Sequence, residues 1–373
     1  MTPNRMNGRG SRVWSALAAL GTLGAPLSAQ GRPRLDSIMT YQTVQVANGI
    51  YAFITPEERS GFQAGNSIVV VGDDGVLVVD TGNLPSMTRR QIADIHRLTD
   101  KPIRFVVNTH WHPDHTLGNA EYRAAVPGVT IVSTAATRAN MIQRIPVYFS
   151  QERDYATTIA TLRQRIETGR RRDGSTVSAE DRAFYAMVVG DYDQFMPEIN
   201  QARIEPSNLT FEDSLTLMLG TREVDVLHLG RGNTAGDAVV YVPDAKVLVT
   251  GDLITFPCPF PSSAFLSDWI QSLARAKALG ATAYVPGHGP VQRDYAYFDL
   301  TSAVLISLRS QVQSAVSKGL SLDDTRKQVS LAEFRERFAG GDTWRGRAFD
   351  GFFVPSAIER AYYEAKYLAE GPG

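Results

Sequence analysis

The run IRFVV at residues 103–107 leads straight into NTHWHPDHTLGN at 108–119. Three of the chain's six histidines, at 110, 112 and 115, fall in this segment, with Asp114 between the last two. The apolar run reads as a buried strand and the segment after it as its polar tip. Side chains two apart on extended backbone point the same way, so His110 and His112 can grip one ion. Asp114 and His115 fall in the following turn and can reach a second ion beside it. Such a spacing arises by accident in on the order of one chain in ten thousand. Imidazole with carboxylate suits zinc, and also iron or manganese.

The rest of the chain after residue 40 alternates strands and helices. TVQVANGIYAFI breaks at Asn48-Gly49 and predicts a hairpin. NSIVVVGDDGVLVVDTG holds two β-branched runs around Asp73-Asp74-Gly75 and predicts another. SMTRRQIADIHRLT has helical apolar spacing at Ile92, Ile95 and Leu98, with Ser86 as the expected cap. SLTLMLGTREVDVLHLG, DAVVYVPDAKVLVTGD and ATAYVPGHG are further strands that end in polar loops. Strand-end loops gathered at one sheet edge are where such folds place chemistry. From about 135 to 200 the pattern turns helical. Tyr155, Ile159, Leu162 and Ile166 share a face, Gly169 is a stop, and Ser178 with Asp181 caps a further helix. After Val291 the chain is again helical.

VLVTGD ends a strand at Asp252, and YVPGHGPV ends another at His288. With these in place, the chain resembles the metallo-β-lactamase fold superfamily over roughly residues 40–295. The motifs stand in family order: VVDTG with Asp80, THWHPDH with His110, His112, Asp114 and His115, GRGNTAGD, VTGD with Asp252, and PGHG with His288. The resemblance implies an α/β fold, an αββα sandwich with a dinuclear metal site at one edge of two sheets. Here it carries a helical insertion at about 135–200 and a helical C-terminal segment, 296–373. It implies Asp252 as a bridging carboxylate, and Asp80 as a buried group that steadies the ligand loops. The family's third motif supplies a histidine to the first metal. This chain has Asn233 there, and an amide oxygen binds zinc more weakly than imidazole does. His228, five residues upstream, reads as a strand residue. The second set, Asp114, His115 and His288 with Asp252, is complete.

The expected function is that of a metal-dependent hydrolase with one or two zinc ions per chain, acting on an amide, ester or lactone, a β-lactam among them. Metal lowers the pKa of bound water toward about 7, and Asp114 is the expected catalytic residue that orients it and passes a proton on. Two readings compete: a single-iron oxidoreductase of the persulfide dioxygenase type, and a non-catalytic binding protein. Cysteine-ligand β-lactamases are disfavoured, because Asp252 stands at the cysteine position and the lone cysteine, Cys258, comes six residues later. The net charge of −1 excludes an electrostatic footprint for nucleic acid and points to a small-molecule substrate. Arg5, Arg9 and Arg12 precede an apolar run at 13–27 and a small-residue site at Ala29. This is the layout of a cleavable signal peptide over 1–29, with a periplasmic or secreted product and no membrane span after processing.

Overall fold

The computed structural model describes residues 40–57, 64–150 and 152–370. The expected leader and the side chain of Tyr155 lie outside the described residues. Two sheets face each other. The first runs in the order β1 (Gln42–Ala47), β2 (Ile50–Ile54), β3 (Ser67–Val71), β4 (Val76–Val79), β5 (Ile103–Val107), β6 (Thr130–Thr134) and β7 (Leu209–Phe211). It is antiparallel through β4 and parallel from β4 onward. The second holds β8 (Ser214–Leu219), β9 (Arg222–Leu227), β10 (Val239–Val242), β11 (Val247–Thr255) and β12 (Ala283–His288), with β12 at one edge and β8 at the other. The expected hairpins at Asn48-Gly49 and Asp73-Gly75 are those of β1–β2 and β3–β4.

Side-chain alternation explains the layering. Ile68, Val70, Leu77, Val79 and Val107 point from the first sheet toward Val224, Val226, Val240, Val249 and Val285 of the second, and together they form the central core. The intervening residues Val69, Val78 and Val106 face the opposite way, into a second cluster under helices. Because β3, β4 and β5 are covered on both faces, their sequences are continuous apolar runs rather than alternating ones.

The outer helices of the first sheet are α1 (Pro85–Leu98), the single turn α2 (Pro113–Thr116), α3 (Asn119–Ala125) and the insertion. The insertion comprises α4 (Ala135–Ser150), α5 (Glu152–Thr168) and α6 (Ala179–Ile199). Gly169 ends α5 in the left-handed region at φ 65°, and the Ser178 hydroxyl accepts from Asp181 N at 3.0 Å to cap α6. Ser86 is not the cap of α1. Pro85 opens that helix after Leu84, and the Ser86 amide donates instead to Glu198 of α6. A carboxylate from the insertion thus does the work expected of a local hydroxyl.

The second sheet is covered by α7 (Leu266–Ala278), α8 (Ala296–Ser317), α9 (Leu322–Gln328), α10 (Ala332–Ala339), α11 (Thr343–Ala348), a π-helical turn (Phe349–Phe353) and α12 (Val354–Glu370). Trp269, Phe298, Leu305, Phe349 and Phe353 share one core with Val239, Leu248 and Tyr284. The C-terminal helices are therefore the fourth layer of the sandwich.

One buried polar atom gives a direct test of this packing. Tyr122 on α3 is fully buried, and its hydroxyl has no hydrogen-bond partner. Tyr122→Phe removes only that orphaned group, so it should leave stability unchanged or raise it by about 1 kcal/mol. Tyr122→Ala should cost about 3–5 kcal/mol through the cavity it opens. Urea unfolding of the two variants reads both, and a Phe variant clearly less stable than wild type would contradict the orphaned hydroxyl.

Candidate metal centre

The ends of β4, β5 and β12 bring Asp80, the histidine segment and His288 to one edge, where Asp252 stands within β11, which runs on to Thr255 rather than ending at Asp252. His110 Nε2 and His112 Nδ1 face each other at 2.9 Å. Asp252 Oδ2 lies 3.4 Å from the first and 3.9 Å from the second. On the other side, His115 Nε2 is 3.2 Å from His288 Nε2 and 3.4 Å from Asp114 Oδ2. His288 Nε2 and Asp114 Oδ2 are 3.0 Å apart. Asp252 Oδ1 completes this group, 3.2 Å from His115 and 3.6 Å from His288. The two oxygens of one carboxylate therefore face two donor sets, and His115 also lies close enough to His110 and Asp252 to share an ion with them.

The supports are as specific as the donors. Asp80 accepts from Thr109 N at 2.8 Å and from Thr109 Oγ1 at 2.7 Å, and its Oδ2 meets His115 Nδ1 at 2.8 Å. It does so from left-handed backbone, φ 57°, which costs a residue with a side chain about 1 kcal/mol or more. That contact turns His115 Nε2 toward the centre. Gly287 allows β12 to pass beside the Asp252 carboxylate of β11, since a Cβ there would sit 2.0 Å from Asp252 Oδ1.

Sequence reasoning missed Asn66. Its backbone N donates to Gly287 O at 2.7 Å, and its Nδ2 donates to Pro286 O at 3.0 Å and Gly289 O at 2.8 Å. Its Oδ1 accepts from Thr55 N at 3.0 Å. One amide side chain thus straps the His288 loop to the first sheet. An asparagine just before a strand reads only as a turn residue, so no local signal marked it. Ser263, whose Oγ lies 3.2 Å from His112 Nε2, was equally silent.

The electrostatics follow from burial and from the close approach of imidazoles and carboxylates. Burial pushes His110 down to about 4, and His115 adds to the effect, so this imidazole is neutral at pH 7. Burial opposes charge on His115, but Asp114, Asp252 and Asp80 outweigh it and raise its pKa well above the usual value. Burial likewise pushes Asp252 up, yet the imidazoles of His115, His110 and His288 prevail and hold it well below the carboxylate range. Asp252 Oδ1 and Asn233 Oδ1 are nevertheless buried and accept no hydrogen bond. Buried lone pairs that accept no proton are what a bound cation satisfies. The donor set fits a divalent ion.

Three other sequence candidates find their places. Asn233 is fully buried, and its Nδ2 donates to Phe260 O at 2.6 Å, leaving only the carbonyl side free. His228 Nδ1 meets Asp237 O at 2.7 Å, which ties the ring to the backbone of its own loop. Cys258 is buried and its thiol is pushed up to about 12, chiefly by burial. It packs as a small apolar residue. In the sequence the insertion's aromatic residues Phe149, Tyr155, Phe184 and Tyr185 read equally as a substrate wall and as the insertion's own core. Tyr185 is buried and Phe149 packs in the outer core of the first sheet, so neither walls the site. Phe184 instead meets Trp344 of α11, with ring centres 5.9 Å apart.

The sequence pattern of the metallo-beta-lactamase superfamily matches residues 60–288. The chain belongs to that superfamily. The chain is 26% identical over 279 residues to the linear primary-alkylsulfatase of Pseudomonas sp. (strain ATCC 19151), a stretch covering 70% of this chain and 49% of that protein. It therefore spans about half the length of that relative. It is 22% identical over 265 residues to the metallo-beta-lactamase type 2 of Elizabethkingia meningoseptica, covering 70% of this chain and 80% of the relative. Among solved structures, a metallo-beta-lactamase from Pontibacter korlensis superposes with a TM-score of 0.50 at 19% identity, over 72% of this chain and 99% of that one. The likeness shows the fold, and the expected αββα sandwich is the fold observed.

The centre makes a metal-binding prediction. With Asn233 contributing an amide oxygen, one ion should bind tightly to Asp114, His115, His288 and Asp252, and a second more weakly to His110, His112 and Asp252. Asn233→His should tighten the weaker ion, and His228→Ala should leave both unchanged. Competition with a chromophoric chelator measures the two affinities. Loss of the weaker ion in His228→Ala would reverse the assignment.

Proposed function

We propose that the chain is an exported metal-dependent hydrolase that uses water to cleave an ester, amide or lactone, with β-lactams and sulfate esters within its range. The observation that carries this reading is the split of Asp252 between two donor sets, with Asp114 alongside. Zinc is the proposed ion, one or two per chain. A divalent ion bound there would lower the pKa of a water it holds toward about 7 and polarise the attacked group. His110, His112, Asp114, His115, Asp252 and His288 would hold it, with the Asn233 carbonyl as a weak further donor.

The remaining steps fall to the chain's own groups. Asp114 is held by His115 and His288 on one side, and its side chain is 23% exposed. It is the carboxylate of the cluster most open to solvent, so it is the one that can orient water and pass a proton to the departing group. Asp80 and Asn66 keep His115 and His288 in register. No serine or cysteine nucleophile is needed, and the buried, protonated Cys258 offers none. The sulfate-ester part of the range is supported by the alkylsulfatase relative, and the amide part by the type 2 metallo-beta-lactamase relative.

Zinc-loaded protein tested on β-lactam, lactone, thioester, sulfate-ester and phosphodiester substrates checks the reading. Asp114→Ala should reduce kcat by several orders of magnitude, because positioning and proton transfer fail together. It should do so with unchanged far-ultraviolet circular dichroism. Activity within about tenfold of wild type would remove Asp114 from the reaction. Oxygen uptake with no hydrolysis would favour the single-iron alternative.

Export rests on the basic start, the apolar run and Ala29. No helix among the described residues is long and apolar enough to cross a membrane. Intact mass of the exported protein should correspond to a chain beginning at Gln30. A mass that retains Met1 would refute cleavage.

A further inference from the structure

The loop between β11 and α7, residues 256–265, turns back to the centre at several points. The Phe256 amide donates to His288 O at 3.1 Å. Phe260 O accepts from Asn233 Nδ2 at 2.6 Å, and Ser263 Oγ lies 3.2 Å from His112 Nε2. Each of the last two contacts fixes a choice that its partner leaves open. An amide side chain can present either its nitrogen or its oxygen. Phe260 O takes the nitrogen, so the oxygen of Asn233 is the end left for an ion. An imidazole can present either ring nitrogen, and the hydrogen bond on one decides the use of the other. His112 turns Nδ1 toward His110 Nε2 and Asp252 Oδ2, at 2.9 and 3.9 Å. The form that binds an ion through Nδ1 carries its proton on Nε2, and the Ser263 oxygen is placed to accept it.

The support of His112 differs in origin from that of its neighbours. Asp80 meets His115 Nδ1 directly, at 2.8 Å, and accepts from the Thr109 hydroxyl, which lies 3.0 Å from His110 Nδ1. Both of those imidazoles are steadied from the ends of β4 and β5 in the first sheet. Ser263 belongs to the opposite layer, and α12 holds its loop there. Arg360 donates to Ala264 O, at 2.8 Å through Nε and again through Nη2. Glu364, one turn further along, accepts from Leu266 N at 2.8 Å and from Ser267 N at 3.2 Å. Those amides open α7, where a carboxylate is favourable. Ala264 and Leu266 are fully buried, and Phe265 N donates to Gly232 O at 2.8 Å, beside Asn233. The backbone that follows Ser263 is therefore pinned on both sides of Phe265.

We propose that Ser263 is a positioning residue for His112, kept in place by Arg360 and Glu364 of α12, so that a helix at the end of the chain supports the ion held by His110, His112 and Asp252. Removing the partner of a ligating histidine costs about ten- to a hundredfold in metal affinity. Ser263 meets the His110–His112 set, so the cost falls on the ion bound there, the weaker of the two. The inference rests on the two-ion reading of the centre and not on which substrate the protein cleaves.

The test is zinc competition with a chromophoric chelator on the full chain, for wild type, Ser263→Ala, Ser263→Thr and Glu364→Ala. Ser263→Ala should weaken the weaker ion by about tenfold and leave the tighter ion as it was. Ser263→Thr keeps a hydroxyl and should recover most of the loss. Glu364→Ala should produce a smaller loss in the same direction. With cobalt(II) in place of zinc, the visible absorption of the weaker ion should change in Ser263→Ala and return in Ser263→Thr, which general loosening of the fold would not bring about. Ser263 is half-buried and its alanine variant leaves the Arg360 and Glu364 contacts intact, so it carries the test even if Glu364→Ala fails to fold. A weaker ion bound in Ser263→Ala as in wild type, or both ions weakened alike, would overturn the role of Ser263. A folded Glu364→Ala with wild-type affinities would overturn that of α12. Two ions with the expected dependence on Ser263, in a protein that hydrolyses nothing, would sink the hydrolase reading and leave this one standing.

Discussion

A carboxylate sits almost fully buried at the edge where the two sheets meet. Asp252 is 4% exposed, within a strand, Val247–Thr255, that is buried along its whole length. An ionised carboxylate taken out of water costs several kcal/mol unless opposite charge and donors surround it. The surrounding groups come from far apart in the chain. His110, His112 and His115 arrive from the β5 tip, and His288 arrives from β12. Glycine at 287 lets the neighbouring backbone approach, and Asp80 and Asn66 hold the imidazoles from behind. The sandwich is what allows this meeting, because only two packed sheets bring β11 and β5 ends to the same point. The site in turn explains polar residues in an otherwise apolar edge.

Much of the fold was legible because it rests on short-range pattern. The β1–β2 and β3–β4 hairpins follow from Asn48-Gly49 and Asp73-Asp74-Gly75, and the cap of α6 from Ser178 with Asp181. The histidine segment was legible because its members are close in sequence. Other contributions could not be read, because their meaning depends on what the fold brings near. Asn66 acts on residues more than two hundred positions away. Ser86 looked like a cap until a carboxylate from the insertion took that role. Tyr185 and Phe149 were equally consistent with a substrate wall and with a core, and the choice depended on how the insertion packs against α1.

The insertion and the C-terminal helices belong to opposite outer layers, yet both reach the same edge. Phe184 of α6 meets Trp344 of α11, and Glu180 pairs with Arg347. Arg345 of α11 pairs with Glu57 at 2.8 Å and lies 4.7 Å from the ring centre of Phe256. The Phe256 amide donates to His288 O at 3.1 Å. The last part of the chain is thereby connected to the loop that carries His288, while the sheets themselves hold the remaining donors.

This clasp between α6 and α11 separates two properties that a single-layer site would confound. Grip on the ion is set by strand ends locked into the central core, where small changes are felt at once. The helices that touch across the edge lie outside that core, and α11 reaches the His288 loop through Arg345 and Phe256. Exchange of residues along the clasp therefore changes the outer layers first and reaches the donors only through that one connection. A scaffold divided in this way can acquire new specificities by altering its rim alone.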